Sequence, residues 1–96
     1  MRRFLLLAAC AAVGFSQAGN APNGKAAYRG RCAACHNPDS RQKKVGPGLK
    51  GLFQREKTTE AVIRGKIDAG GNGMPAFKDA LDDHEKNDLI AYLKTL

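Results

Sequence analysis

Apolar positions recur along the chain in three distinct ways. Residues 4–15 form a nearly unbroken apolar run without a charge, preceded by Arg2 and Arg3. The run is too short to span a bilayer as a helix but has the form of a secretory h-region, and an N-terminal core helix is the alternative. Ser16-Gln17-Ala18 sets small residues at the minus-three and minus-one positions, so cleavage is expected after Ala18. The second pattern is helical. Residues 82–96 carry Leu89, Tyr92, Leu93 and Leu96 at helical spacing; Asp82 with Glu85 resembles a capping box, acidic residues crowd the positive end, and Lys94 lies in the last turn. Residues 25–34 read as another helix, with alanines as good formers and Gly30 as the weak point. Gly24 and Tyr28 lie four apart, a gap beside an aromatic ring that suits the approach of the 82–96 helix. A third helix is predicted from a cap at Thr58 or Thr59 through Ile67, with Glu60 favourable at its start.

The third pattern is irregular. Residues 20–24, polar with Pro22, read as a flexible lead-in, and residues 37–44 as a polar loop. Val45-Gly46-Pro47-Gly48 reads as a rigid turn, Leu49, Leu52 and Phe53 as a short turn lining a pocket, and Gly70-Gly71-Asn72-Gly73 as the end of the third helix. No stretch reads as a strand, so the class is all-α with a loop-rich middle. The domain division is residues 1–18 as a removed signal and 19–96 as one domain of 78 residues. That length buries a marginal core, and an added cofactor held by the fold would supply what the core lacks.

Cysteine usage narrows the cofactor. Of three cysteines, Cys10 lies in the apolar run, where Leu7-Ala8-Ala9-Cys10 also resembles a lipoprotein acylation site; the shortness of the preceding apolar stretch ranks acylation second. The other two stand in Cys32-Ala33-Ala34-Cys35-His36, the haem c attachment pattern. If the incoming helix continues through Cys35, both sulfurs share a face and reach the two vinyl groups along one porphyrin edge, with His36 against the iron. A thioredoxin-type pair needs a strand leading into Cys32. Zinc held by Cys32, Cys35, His36 and His84 would need adjacent residues on one tetrahedral ion. His84 reads as a solvated residue in a polar first turn. Met74, the only methionine besides Met1, follows the glycine-rich bend and is a candidate second iron ligand.

With CxxCH, Gly46-Pro47-x-Leu49, Gly73-Met74-Pro75 and Leu89-x-x-Tyr92-Leu93 in this order, the chain resembles class I (mitochondrial-type) bacterial cytochromes c over nearly all of residues 24–96. The resemblance implies a small all-α cytochrome c fold, N- and C-terminal helices crossing and loops wrapped around one covalently bound haem c. It implies thioethers at Cys32 and Cys35, His36 as proximal and Met74 as distal ligand, and a Pro47 carbonyl accepting from the His36 ring. The chain is shorter than mitochondrial forms and has no Trp where some members place one near a propionate, which leaves Arg55, Arg64 and Lys66 as candidate propionate partners. The implied function is one-electron transfer between redox proteins, without catalysis. A gas sensor or peroxidase-like enzyme, with a distal position that can be vacated, is the alternative class.

Charge bears on the partner. Residues 24–57 hold nine basic and two acidic residues, and residues 58–96 hold five basic and seven acidic. A positive half carrying the haem motif is expected to steer a monomer toward acidic docking surfaces of an oxidase, reductase or dehydrogenase, and nucleic acid is not expected without interleaved aromatics. The apolar leader implies a periplasmic or otherwise extracytoplasmic location, with a membrane tether only if Cys10 is acylated. N-terminal sequencing of the exported protein is expected to begin at Gly19; a terminus at an acylated Cys10 would replace the soluble carrier with a tethered one.

Overall fold

The computed structural model describes residues 19–96; the expected leader, its cleavage point and Cys10 lie outside the described residues. Among the described residues, three α-helices, α1 (Ala21–Arg31), α2 (Glu60–Ala69) and α3 (Asp83–Leu93), and one short 3-10 turn, Leu52–Gln54, make up the regular structure. No strand occurs among the described residues, and no helix there is long and apolar enough to cross a membrane.

The helix ends follow side-chain chemistry. At α3, Asp82 Oδ1 accepts the Glu85 N–H at 2.8 Å and Glu85 Oε1 accepts the Asp82 N–H at 3.0 Å, the reciprocal capping box predicted from sequence. Thr59 caps α2, its hydroxyl accepting the Val62 N–H at 3.2 Å, and the helix runs past Ile67 to Ala69 before Gly70 turns it out at φ +64°. The largest departure is at α1. Residues 20–24 are not a flexible lead-in: Asn20 is the N-cap, its side chain accepts the Asn23 N–H at 2.9 Å, and Pro22 sits in the first turn, where its missing N–H costs nothing. The Asn20 N–H in turn donates to Asp88 Oδ1 at 2.7 Å, so the start of α1 is tied to α3 across 68 residues of sequence.

That tie lies at the crossing of the two helices. A Cβ built on Gly24 would fall on the Asp88 carbonyl and within 2.8 Å of Tyr92 Cβ, so the backbones meet where only a hydrogen fits. Tyr28, 2% exposed, stacks on Tyr92 with ring centroids 5.4 Å apart and planes tilted by 52°. Burial pushes the Tyr28 phenol up to about 12, with negative charge on Cys32, Tyr92 and Asp39 adding to the effect. Leu89, Ile90 and Leu93 of α3 complete the centre of the core with Ile67 of α2 and Leu49, Leu52, Phe77 and Leu81 from loops. Ile90 extends the apolar face beyond the Leu89, Tyr92, Leu93 and Leu96 set.

Helix α2 packs on α3 through polar contacts as well. Arg64 hydrogen-bonds the Asn87 side chain, and Lys94 pairs with Glu60 at 2.8 Å, holding the Glu60 carboxyl below its ordinary range. Both members of the latter pair are half exposed, so it adds little stability. The irregular middle is held by backbone bonds, Leu49 N–H to Asn37 O at 2.7 Å and Lys50 N–H to Ser40 O at 3.2 Å, and by Arg55, which donates to the carbonyls of Gly48 (2.7 Å) and Lys50 (2.9 Å).

Gly24→Val would force backbone apart at the crossing, and unfolding by denaturant is expected to show a loss of about 3 kcal/mol, the upper end for overpacking. An unchanged midpoint would mean that the α1–α3 contact is not what holds the fold.

Candidate haem-binding site

The three helices and the loops between them enclose an apolar cleft of about 400 Å³. Cys32, Cys35 and His36 border it, Met74, Pro75 and Phe77 border it from the second long loop, and Leu89 and Leu93 of α3 lie in its wall. The sequence candidates for covalent attachment and for both axial positions thus share one cavity.

The CxxCH segment reaches the cleft differently from the helical continuation expected. Helix α1 ends at Arg31, because the Tyr28 carbonyl accepts two N–H groups, from Cys32 at 2.8 Å and Ala33 at 3.0 Å, and the helical ladder cannot continue past a shared acceptor. Cys32 then starts a turn of its own, its carbonyl accepting from Cys35 (3.1 Å) and His36 (3.0 Å). Both cysteines still border the cleft. Burial, with Arg31 opposing and Cys35 adding, pushes the Cys32 thiol up to about 11, the direction that disfavours a redox-active thiolate there.

His36 is held on several sides. Its Nδ1 lies 2.8 Å from the Pro47 carbonyl and donates to it, which leaves the lone pair of the neutral ring on Nε2. The Tyr28 hydroxyl donates to the His36 carbonyl at 2.9 Å, and the Gly46 N–H to the Cys35 carbonyl at 2.7 Å. Gly46 itself lies against the imidazole: an added Cβ would stand 2.5 Å from Cε1 and 2.9 Å from Nδ1. Lys44 Nζ, donating to the Ala33 carbonyl at 3.0 Å, spans the turn from outside. The Gly46 and Tyr28 contacts were not read from sequence, although both residues stood in the motifs; only the folded geometry shows what each touches.

Met74 is delivered by a turn with four successive positive φ angles, Gly70 (+64°), Gly71 (+119°), Asn72 (+53°) and Gly73 (+91°). Gly71 and Met74 close it with paired backbone hydrogen bonds of 2.9 and 3.1 Å. Beyond it the Phe77 N–H returns to the Ile67 carbonyl of α2 at 2.8 Å.

The remaining candidates separate. His84 lies on the first turn of α3, its side chain 79% exposed and 3.6 Å from Asp88, and among the described residues no three His, Cys, Asp or Glu side chains converge on a point, so a zinc site with Cys32 and Cys35 is not formed. Lys66 borders the cleft, whereas Arg64 is engaged with Asn87 and Arg55 braces the 48–50 backbone. The buried Nε of Arg55 has no partner, but Arg55 does not border the cleft. An apolar cleft bordered by two thiols, an oriented imidazole and a thioether, with a cation on its rim, fits a haem.

A three-helix domain with crossing terminal helices and this donor set has the small all-α cytochrome c fold, of class I. The chain belongs to the cytochrome c family: residues 19–93 match the family model described as cytochrome c oxidase, cbb3-type, subunit III. Among similar proteins, a cytochrome c6 of Synechocystis sp. is 36% identical over 73 residues, covering 74% of this chain and 61% of that protein. Cytochrome c-550 of Bacillus subtilis is 41% identical over 59 residues, 58% of this chain and 47% of that protein. The chain thus spans less than two thirds of the length of both, but 84% of a cytochrome c6 from Parathermosynechococcus lividus, at 34% identity over 74% of this chain. In structure it resembles cytochrome c6 of the diatom Phaeodactylum tricornutum, with a TM-score of 0.65 and 29% identity over 80% of this chain and 93% of that one. The cofactor is a covalently bound haem c, for which Cys32 and Cys35 stand in the CxxCH arrangement.

Gly46→Ala forces either the His36 ring or the 45–48 turn to move. The expected result is a loss of roughly 1–3 kcal/mol in stability and a smaller haem-loaded fraction on expression. Unchanged loading and an unchanged unfolding midpoint would show that the imidazole is not wedged by this glycine.

Proposed function

We propose that this chain is an exported one-electron carrier, not an enzyme, with thioether links at Cys32 and Cys35 and with His36 and Met74 as the axial ligands. The bound haem supplies a ferric/ferrous couple that accepts one electron from a donor protein and gives it to an acceptor. The observation that carries the reading is that the Nδ1-anchored His36 and the turn-presented Met74 border the same cleft as both cysteines. Pro47 keeps the imidazole in one tautomer and one rotation, so His36 presents the same nitrogen in both redox states. A soft thioether favours ferrous over ferric iron, and a His/Met pair therefore has a higher potential than His/His. With Met74 in the sixth position, oxygen and peroxide are excluded from the metal. Among the described residues that border the cleft there is no Asp or Glu and no His besides His36, which favours the carrier over the sensor or peroxidase class.

The charge division supports a partner with an acidic docking surface. Lys43 and Lys66 border the cleft together with Val45, which is 68% exposed, so a small apolar contact is rimmed by cations at the border of the cleft that would hold the haem. The apolar leader places this exchange outside the cytoplasmic membrane, in the periplasm or an equivalent compartment.

Carbon monoxide tests the ligation. The ferrous protein is expected to resist it, Met74→Ala to bind it readily, and Met74→His to lower the reduction potential. Ready binding by the unmodified protein, or a spectrum and potential unchanged in Met74→Ala, would overturn the carrier reading in favour of a sensor or enzyme.

A further inference from the structure

The loop bearing Met74 is fastened at its far end by an ion pair whose lysine is buried and whose aspartate is about a third exposed. Lys86 projects from α3, on the same helix as the exposed His84, but its side chain is only 7% exposed. Its Nζ lies 2.7 Å from Asp68 Oδ1, in the last turn of α2, and donates to the carbonyl of Lys78 at 3.1 Å. One ammonium therefore joins three pieces of chain: α2, α3 and the segment running from Met74 to α3. The backbone reinforces the junction, with Phe77 N–H on Ile67 O at 2.8 Å and Lys78 N–H on Asp68 O at 3.3 Å. Phe77 and Leu81, both buried, bracket the joined point.

A lysine taken out of water is held there only by its partners, and removing it strands a carboxylate and a carbonyl. The loss falls on the segment that follows Met74, where Lys78 lies. We propose that Lys86, with Asp68, is a positioning residue for Met74: it fixes the 75–81 segment so that the thioether stays in the cleft. This rests on the reading of Met74 as sixth ligand.

The physical consequence is a population effect. An added ligand that must displace Met74 binds only the fraction of molecules in which the thioether has left, so its apparent affinity scales with that fraction. Loosening the clamp raises the fraction. Where Met74 has already been removed there is no fraction to raise, and the clamp has no effect on affinity.

Imidazole binding to the ferric holoprotein, read by absorption, provides the test. Lys86→Gln and Asp68→Asn approach the pair from opposite sides, so failure of one to fold leaves the other. Each is expected to tighten imidazole binding by about tenfold, within the range of coupling between groups in contact. In a Met74→Ala background the same substitutions are expected to leave the affinity unchanged. Lys86→Arg, which keeps the charge, should remain within about twofold of the unmodified protein. Ile90→Val, a core change away from the cleft wall, controls for general loosening, and is expected to lower the unfolding midpoint without changing imidazole affinity. No change in the unmodified background, an equal change in both backgrounds, or an Ile90→Val effect matching that of Lys86→Gln would overturn the positioning role. Equal imidazole affinity of the unmodified and Met74→Ala proteins would instead overturn the ligation on which it rests, and that comparison contains no change at Lys86.

Discussion

The close approach of α1 and α3 at Gly24 is the constraint from which the site descends. With no side chain at position 24, α1 can rest on the Asp88 carbonyl, and this depth of contact brings Tyr28 against Tyr92 in a tilted aromatic pair. From there the phenol reaches the His36 carbonyl at 2.9 Å, and the Tyr28 carbonyl ends the helix by taking both the Cys32 and Ala33 N–H groups. The position of the cysteines and the histidine is therefore set one turn upstream, by a helix crossing. Asp88 serves twice, its backbone receiving Gly24 and its carboxylate capping the start of α1 through Asn20.

Core and cofactor site are made of the same side chains. Leu49, Leu52, Ile67, Phe77, Leu89 and Leu93 belong to the buried core and also border the cleft, which leaves Tyr28, Leu81 and Ile90 as the core that does not face it. A domain this small gains little from nine buried apolar side chains to balance the ordering of its long irregular middle. Whatever fills the cleft packs against six of them, so binding of the cofactor and stability of the native packing are linked. Covalent attachment makes that contribution independent of cofactor concentration.

Much of this arrangement was legible in the sequence because the chemistry restricts residue type at fixed spacing. The capping box at Asp82 and Glu85, the Thr59 cap and the apolar stripe of α3 are local, and they appear as read. CxxCH and the lone Met74 stand on one cleft for the same reason. What could not be read is where distant residues decide a local question. Asn20 to Gly24 looks like a loop until Asp88 supplies the acceptor that steadies its first N–H. The helix reads as reaching Ala34 because Ala33 and Ala34 favour it, yet the doubly used Tyr28 carbonyl ends it at Arg31. Lys86 reads as a solvated charge in a polar helix, and only its position opposite Asp68, eighteen residues away, makes it an interior one.

The two sides of the cleft are restrained by different means. On the His36 side, the imidazole donates to the Pro47 carbonyl, the Tyr28 hydroxyl donates to the His36 carbonyl, Gly46 and Lys44 donate to the carbonyls of Cys35 and Ala33, and both cysteines lie within four residues of His36. On the Met74 side there is a glycine turn with one pair of backbone bonds, then a span of chain without regular structure fastened at Phe77 and Lys78. Restraint against local opening scales with such contacts, so the Met74 loop is the lower-stability unit of the two. If His36 and Met74 are the two ligands of an electron carrier, both must stay put through a change of iron charge, and covalent links at Cys32 and Cys35 would secure the histidine side. The remaining freedom would then lie in the methionine loop, where contacts such as those at Phe77 and Lys78 hold the chain.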